Sequence, residues 1–196
     1  MCARVFGPIG AERPFKRVMA FIDGGYLRYL CKSAHGHDRI DFEKLREKIL
    51  YWFNSKVGQL YPFRADLIRM YYYDAIVDKK HSDYDTQREY FDSIEERMLY
   101  TVKLGELIES SKQELKQKGV DILIAIDSLT MAYQNHYDVG MFLMGDRDFV
   151  PLIEAIKSAW KTTVGVFRLK HTARELIKSW DMRVHISDAD IQSFLK

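Results

Sequence analysis

Two cysteines in 196 residues, Cys2 and Cys31, make no disulfide framework and fit a reducing compartment. No apolar run approaches the roughly 18 residues that a membrane span needs. The opening stretch, MCARVFGPIGAERPFK, has no apolar core of a signal peptide. The cytoplasm is the expected location. Net charge is only +2, so no electrostatic tail for nucleic acid or membrane is present, while a local basic face stays compatible with it. No G-x-G-x-x-G follows a strand, which argues against a dinucleotide site. His35 and His37 flank a glycine in a turn-like stretch without a cysteine or a third histidine nearby, a poor basis for zinc.

What is present is a globular composition, 47% hydrophobic and 30% charged. The length suits one domain with a core of its own. Residues 1–16 read as a loose lead-in, with the domain over 17–196. Arg17–Ile22 reads as an apolar strand ending at Asp23-Gly24-Gly25, with a short helix from Tyr26 to Ser33 behind it. Asp41 is placed to cap a helix whose apolar positions Phe42, Leu45, Ile49, Trp52 and Phe53 keep helical spacing. Ala65–Ala75 has the aromatic and β-branched content of a strand, and Thr86-x-x-Glu89 the pattern of a capping box. A polar helix is expected over Glu106–Lys118, closed by Gly119. Val120–Ile126, VDILIAI, is near-continuously apolar and reads as a strand buried on both faces, ending at Asp127. Val139–Met144 is a further such strand, then Gly145-Asp146-Arg147-Asp148 turns the chain into a helix, with Asp148 as its cap and Pro151 in its first turn. Thr163–Phe167 is the last long strand. Strand and helix alternate throughout, which predicts an α/β fold: a central, mostly parallel sheet with helices on both faces.

Three apolar strands therefore end in carboxylates: Asp23, Asp127, and Asp146 with Asp148. Parallel strands share one carboxyl edge, the edge where open α/β sheets bind ligands, so the four can converge there. Each taken alone is also ordinary turn chemistry. Crowded carboxylates repel unless a divalent cation neutralises them. Hard oxygen donors without thiols or clustered imidazoles favour Mg²⁺ or Mn²⁺ over zinc. Such a site activates water and stabilises charge on a phosphodiester being displaced.

The same residues carry a resemblance. FIDGGY, KGVDILIAIDSLTMA and YDVGMFLMGDRDFVPLI resemble, in order, three blocks of the NYN domain family of the LabA-like kind, within the PIN-like nuclease group; YYYDA and VKLGEL are also similar to it. The resemblance implies a three-layer α/β/α PIN-like fold and a metal-dependent ribonuclease site. It carries the acidic positions onto Asp23, Asp127, Asp146 and Asp148 as catalytic metal ligands, with Asp121 as a supporting residue. The implied cofactor is Mg²⁺ or Mn²⁺, and the implied partner RNA; a homodimer is compatible with the family. Three positions depart from its pattern: Tyr26 stands where the family has Asn, Met144 where it has Ser, and Trp160 where it has Gly. Tyr26 keeps a second reading open, a module of the same fold that binds RNA or protein with weak catalysis or none.

RNA also needs phosphate contacts. Arg147, between the two aspartates, either clamps a phosphate or pairs with a neighbouring acid. Lys161, Arg168 and Lys170 are further candidates, within a basic series that includes Lys157, His171, Arg174 and Lys178; an ordinary solvated face explains most of that series equally well. The early FIDGG also suggests a phosphatase of the haloacid dehalogenase type. That type needs a second Asp two residues after the first, and Gly25 stands there.

Overall fold

A computed structural model of the chain describes residues 15–57, 64–109 and 115–196. These form a seven-stranded sheet in the order β4-β3-β2-β1-β5-β6-β7. The strands are β1 Phe15–Asp23, β2 Arg64–Ile76, β3 Tyr100–Glu109, β4 Leu115–Lys118, β5 Val139–Leu143, β6 Thr162–Phe167 and β7 Met182–His185. All neighbours pair in parallel except β3 with β4, which are antiparallel.

Alternation along β1 shows why this is a three-layer α/β/α fold. Val18, Ala20 and Ile22 face one core, with Leu27 and Leu30 of α1 (Gly24–His35), Leu45 of α2 (Phe42–Trp52), Phe91 and Ile94 of α3 (Tyr84–Glu95), and Ile191 of α7 (Asp188–Gln192). Met19 and Phe21 face the other, with Ile124 of α4 (Val120–Tyr133), Ile153 and Ile156 of α5 (Val150–Ser158) and Leu176 of α6 (Arg174–Ser179). A strand segment covered on both faces needs residues without polar side chains throughout, which is what Val18–Ile22 of β1 and Val139–Leu143 of β5 have. The tyrosine run in β2 divides the same way, Tyr72 to the first core and Tyr71 and Tyr73 to the second. Phe42, Leu45, Ile49 and Trp52 of α2 are buried, as is Phe53 in the π-helical turn that follows, and Asp41 caps the helix by accepting from the N–H groups of Glu43 and Lys44.

Several elements depart from the sequence reading. Val120–Ile126 is not a strand but the first half of α4, which continues unbroken to Tyr133. It looks like a strand in sequence because it is apolar on every side. Ile124 packs in the core while Ile122 and Ile126 face solvent. Gly119, expected to end a helix, precedes one, in the left-handed conformation at φ 83°. The polar helix expected over Glu106–Lys118 is instead the end of β3 and the edge strand β4, with residues 110–114 outside the described set. Thr86 lies inside α3 rather than capping it, since Asp83 occupies the cap. Asp74 lies within β2 and is 1% exposed. The expected lead-in falls mostly outside the described residues, but its last two residues, Phe15 and Lys16, belong to β1. No helix among the described residues is long and apolar enough to cross a membrane.

The order of the parallel strands fixes where a ligand site can form. From β1 the chain steps outward to β2 and β3, then returns to place β5, β6 and β7 on β1's other side. At that reversal, the α1 connection and the loop after β5 leave the sheet in opposite directions and open a crevice at the carboxyl ends of β1 and β5.

Candidate active site at the carboxyl edge

Asp23 is the last residue of β1 and the cap of α1, its Oδ1 accepting the Tyr26 N–H at 3.1 Å. The two glycines behind it allow α1 to start hard against β2: a Cβ on Gly24 would lie 2.5 Å from Asp74 Oδ2 and 2.6 Å from the Tyr72 hydroxyl. Across the reversal, β5 ends level with β1, Ile22 beside Leu143. The chain then passes Met144 and Gly145 to Asp146, which caps a short 3₁₀ turn, Arg147–Phe149, by accepting the Asp148 N–H at 3.1 Å. Asp148, expected to cap the helix that follows, does not: Phe149 stands at the cap of α5 without a side-chain bond, and Asp146 caps the 3₁₀ turn before it. Phe149 is buried and anchors the turn, leaving Asp146, Arg147 and Asp148 exposed. Pro151 sits in the first turn of α5, as its missing N–H permits.

The fourth acid is Asp121, in the first turn of α4. Burial pushes the Asp23 carboxyl up to about 6; the Tyr26 N–H opposes this and the charge of Asp121 reinforces it. Asp121 is itself raised, first by desolvation and then by Asp146 and Asp148. Asp23, Asp121, Asp146 and Asp148 therefore lie in one electrostatic neighbourhood at the crevice.

Asp127 does not sit with them. Six residues further along α4, about 9 Å down the helix axis, it accepts the Tyr73 hydroxyl at 3.3 Å and pairs with Lys103 at 3.8 Å. Burial and this carboxylate hold the Tyr73 phenol well above its usual range. The strand reading put Asp127 at the edge; the helix puts Asp121 there instead.

The candidate substrate contacts also separate. Arg147 is exposed and makes no ion pair among the described residues. Lys170 is exposed in the 3₁₀ turn Leu169–His171, beyond the carboxyl end of β6. The Arg168 guanidinium is paired with Asp188. Lys161 precedes β6, at the opposite edge of the sheet, and donates to Asn135. Tyr26 is 8% exposed, its hydroxyl bonded to Thr172 Oγ1 at 2.6 Å and accepting the Arg168 N–H at 3.2 Å. Its ring covers Gly145, where a Cβ would meet Tyr26 Cε2 at 2.4 Å. Tyr26 thus holds the loop that carries Asp146, and its backbone N–H orients Asp23.

The donor set fits a hard cation, since the four residues offer carboxylate oxygens and neither thiol nor imidazole. Among the described residues, no group of three or more His, Cys, Asp or Glu side chains is gathered so as to hold a metal ion unaided. Mg²⁺ does not need that, because it usually keeps several waters and one or two protein carboxylates.

A family model described as the NYN domain matches residues 17–188. Among curated proteins, none matches the chain. Among solved structures, the chain is similar to a protein of unknown function from Vibrio parahaemolyticus RIMD 2210633, at 18% identity and a TM-score of 0.61, covering 96% of this chain and 100% of that one. At that identity the likeness speaks to the fold alone.

Proposed function

Because the chain belongs to the NYN domain family, a family of PIN-like nuclease fold, we propose that it is a metal-dependent endoribonuclease acting at the β1–β5 crevice. The observation that carries this reading is the run of like charge at this edge, in which Asp146 and Asp148 act on Asp121 and Asp121 acts on Asp23. Carboxylates crowded by like charge gain from a bound divalent cation. One or two of Asp23, Asp121, Asp146 and Asp148 would hold it directly, and the others through its waters. When bound, Mg²⁺ or Mn²⁺ would supply positive charge to the phosphodiester and to the attacking water.

The chain's own groups do the rest. The Tyr26 N–H fixes the rotamer of Asp23, and the Asp148 N–H fixes that of Asp146. A carboxylate not engaged with the cation can orient the water and take its proton. Arg147 is placed to hold a phosphate against the acids, since no ion pair among the described residues competes for it. Lys170 offers a second phosphate contact.

The test is cleavage of a panel of structured and single-stranded RNAs with Mn²⁺, Mg²⁺ or EDTA, comparing wild type with Asp146→Asn. Metal-dependent cutting that the variant loses is the expected result. RNA retained on a gel without cutting by either protein would overturn it and leave a binding module. Arg147→Ala should weaken RNA binding more than it lowers stability; equal losses would reject the clamp.

A further inference from the structure

A cavity of about 590 Å³ opens beside the crevice on its β2 side, between α1, α3, and the loop before α2. That volume suits one nucleotide unit. Its floor is Asp74, whose carboxylate is neutralised: Arg28 pairs with it, Tyr72 donates to it at 2.9 Å and Gln117 at 3.0 Å. Asp38 in the wall is paired with Lys32 at 3.0 Å. Arg39 is exposed in the same wall, and among the described residues its guanidinium makes no ion pair. Two further groups face the space. Gln87 accepts the Val77 N–H at 3.2 Å through Oε1, and its amide NH₂ donates to no described residue. The Tyr90 ring, 39% exposed, is held edge-on by Phe42 and Phe91 at centroid distances of 6.4 and 5.3 Å.

This wall offers a cation, a free amide donor and a fixed aromatic face. Those are the groups that take a phosphate, a base edge and a base plane. The cavity also connects to the acids. A Cβ on Gly25 would lie 3.2 Å from Asp23 Oδ1 and 2.9 Å from Gln117 Oε1, and Gln117 reaches on to Asp74. Gln117 thus bridges the neighbourhood of Asp23 and the cavity floor.

We propose that this cavity is the subsite for the nucleotide flanking the scissile phosphate, with its base against Tyr90 and Gln87 and its phosphate on Arg39. A base must leave its stack and its pairing partner to enter, so the subsite selects single-stranded RNA. The inference rests on the ribonuclease reading for its position in the reaction, but its binding can be measured without cleavage.

Binding of a fluorescent single-stranded pentaribonucleotide and of adenosine 5′-monophosphate is measured in EDTA on the Asp146→Asn protein. The same titrations follow with Arg39→Ala or Gln87→Glu added. Gln87→Glu keeps the acceptor for Val77 and replaces the donor with charge, and the Arg39 contacts to His37 and Lys196 run through its backbone, so both should fold. Each change should weaken pentanucleotide binding by about tenfold, with duplex RNA unaffected. Pentanucleotide binding that ignores both changes would overturn the subsite. So would loss of mononucleotide binding alone, which would make the cavity a site for a free nucleotide. If the protein cuts no RNA but the pentanucleotide still responds to both changes, the ribonuclease reading fails and the nucleic-acid pocket stands.

Discussion

At the scale of single residues, Asp121 and Asp127 divide one apparent motif between two jobs. Asp121 shares the charge of the crevice; Asp127 ties α4 to Tyr73 and Lys103. Asp121→Asn should therefore lower cleavage by about tenfold or more. Asp127→Asn keeps an acceptor for the tyrosine and loses only a half-exposed ion pair, so it should cost less than about 1 kcal/mol and leave cleavage near wild type. Parallel rate and denaturation measurements check this, and reversed results would return Asp127 to the site. Gly145→Ala puts a methyl group into the Tyr26 ring and should cost about 1–3 kcal/mol by urea unfolding. Activity should fall further than stability, because the loop it moves carries Asp146. In sequence, Asp23 and Asp146 were legible because each follows an apolar run that ends in glycine-flanked acid. Tyr26 looked like a lost amide, whereas its hydroxyl bonds link loops far apart in the chain, which spacing along the sequence does not reveal.

At the scale of elements, the parallel sheet was legible because the covered segments Val18–Ile22 and Val139–Leu143 carry no polar side chain. Helix α4 failed the same test for the same reason. Its one telling signal was length: no glycine or proline interrupts Val120–Tyr133, and fourteen residues exceed an ordinary strand. Its apolar outer face makes a direct prediction. Ile122→Glu with Ile126→Glu should change the melting temperature by no more than about 2 °C, as both side chains face water. Ile124→Glu, at a position 0% exposed, should prevent folding. Circular dichroism melts separate the two. The antiparallel pairing of β4 with β3 was missed because β4 is an edge strand whose Lys116, Gln117 and Lys118 are polar and exposed, and polar edges lack the alternation that marks half-buried strands.

At the scale of the whole molecule, the two edges of the sheet carry opposite designs. The amino edge is closed by Arg17, which donates to Asp138 through its backbone N–H at 2.9 Å and through its guanidinium. That holds the Asp138 carboxyl below its usual range. A carboxyl depressed on folding adds stability above the ordinary carboxylate range and loses it as pH falls through its folded value. Asp138→Asn should thus cost about 1 kcal/mol at pH 7 and flatten the loss of stability below about pH 4, read from urea midpoints across pH. The carboxyl edge is left charged and uncompensated, so Mg²⁺ should raise the melting temperature of wild type by a few degrees and that of Asp146→Asn by much less. Strand β1 joins the two edges, and its place in the sheet order has a consequence for synthesis. One side of β1 pairs with β2, but Val18–Ile22 find their other partner only in Val139–Leu143. On the ribosome, the most apolar strand of the nascent chain waits with a bare side until most of the domain has been made. Chains released before β5 should aggregate, and this protein should depend on chaperones early in its translation rather than after it.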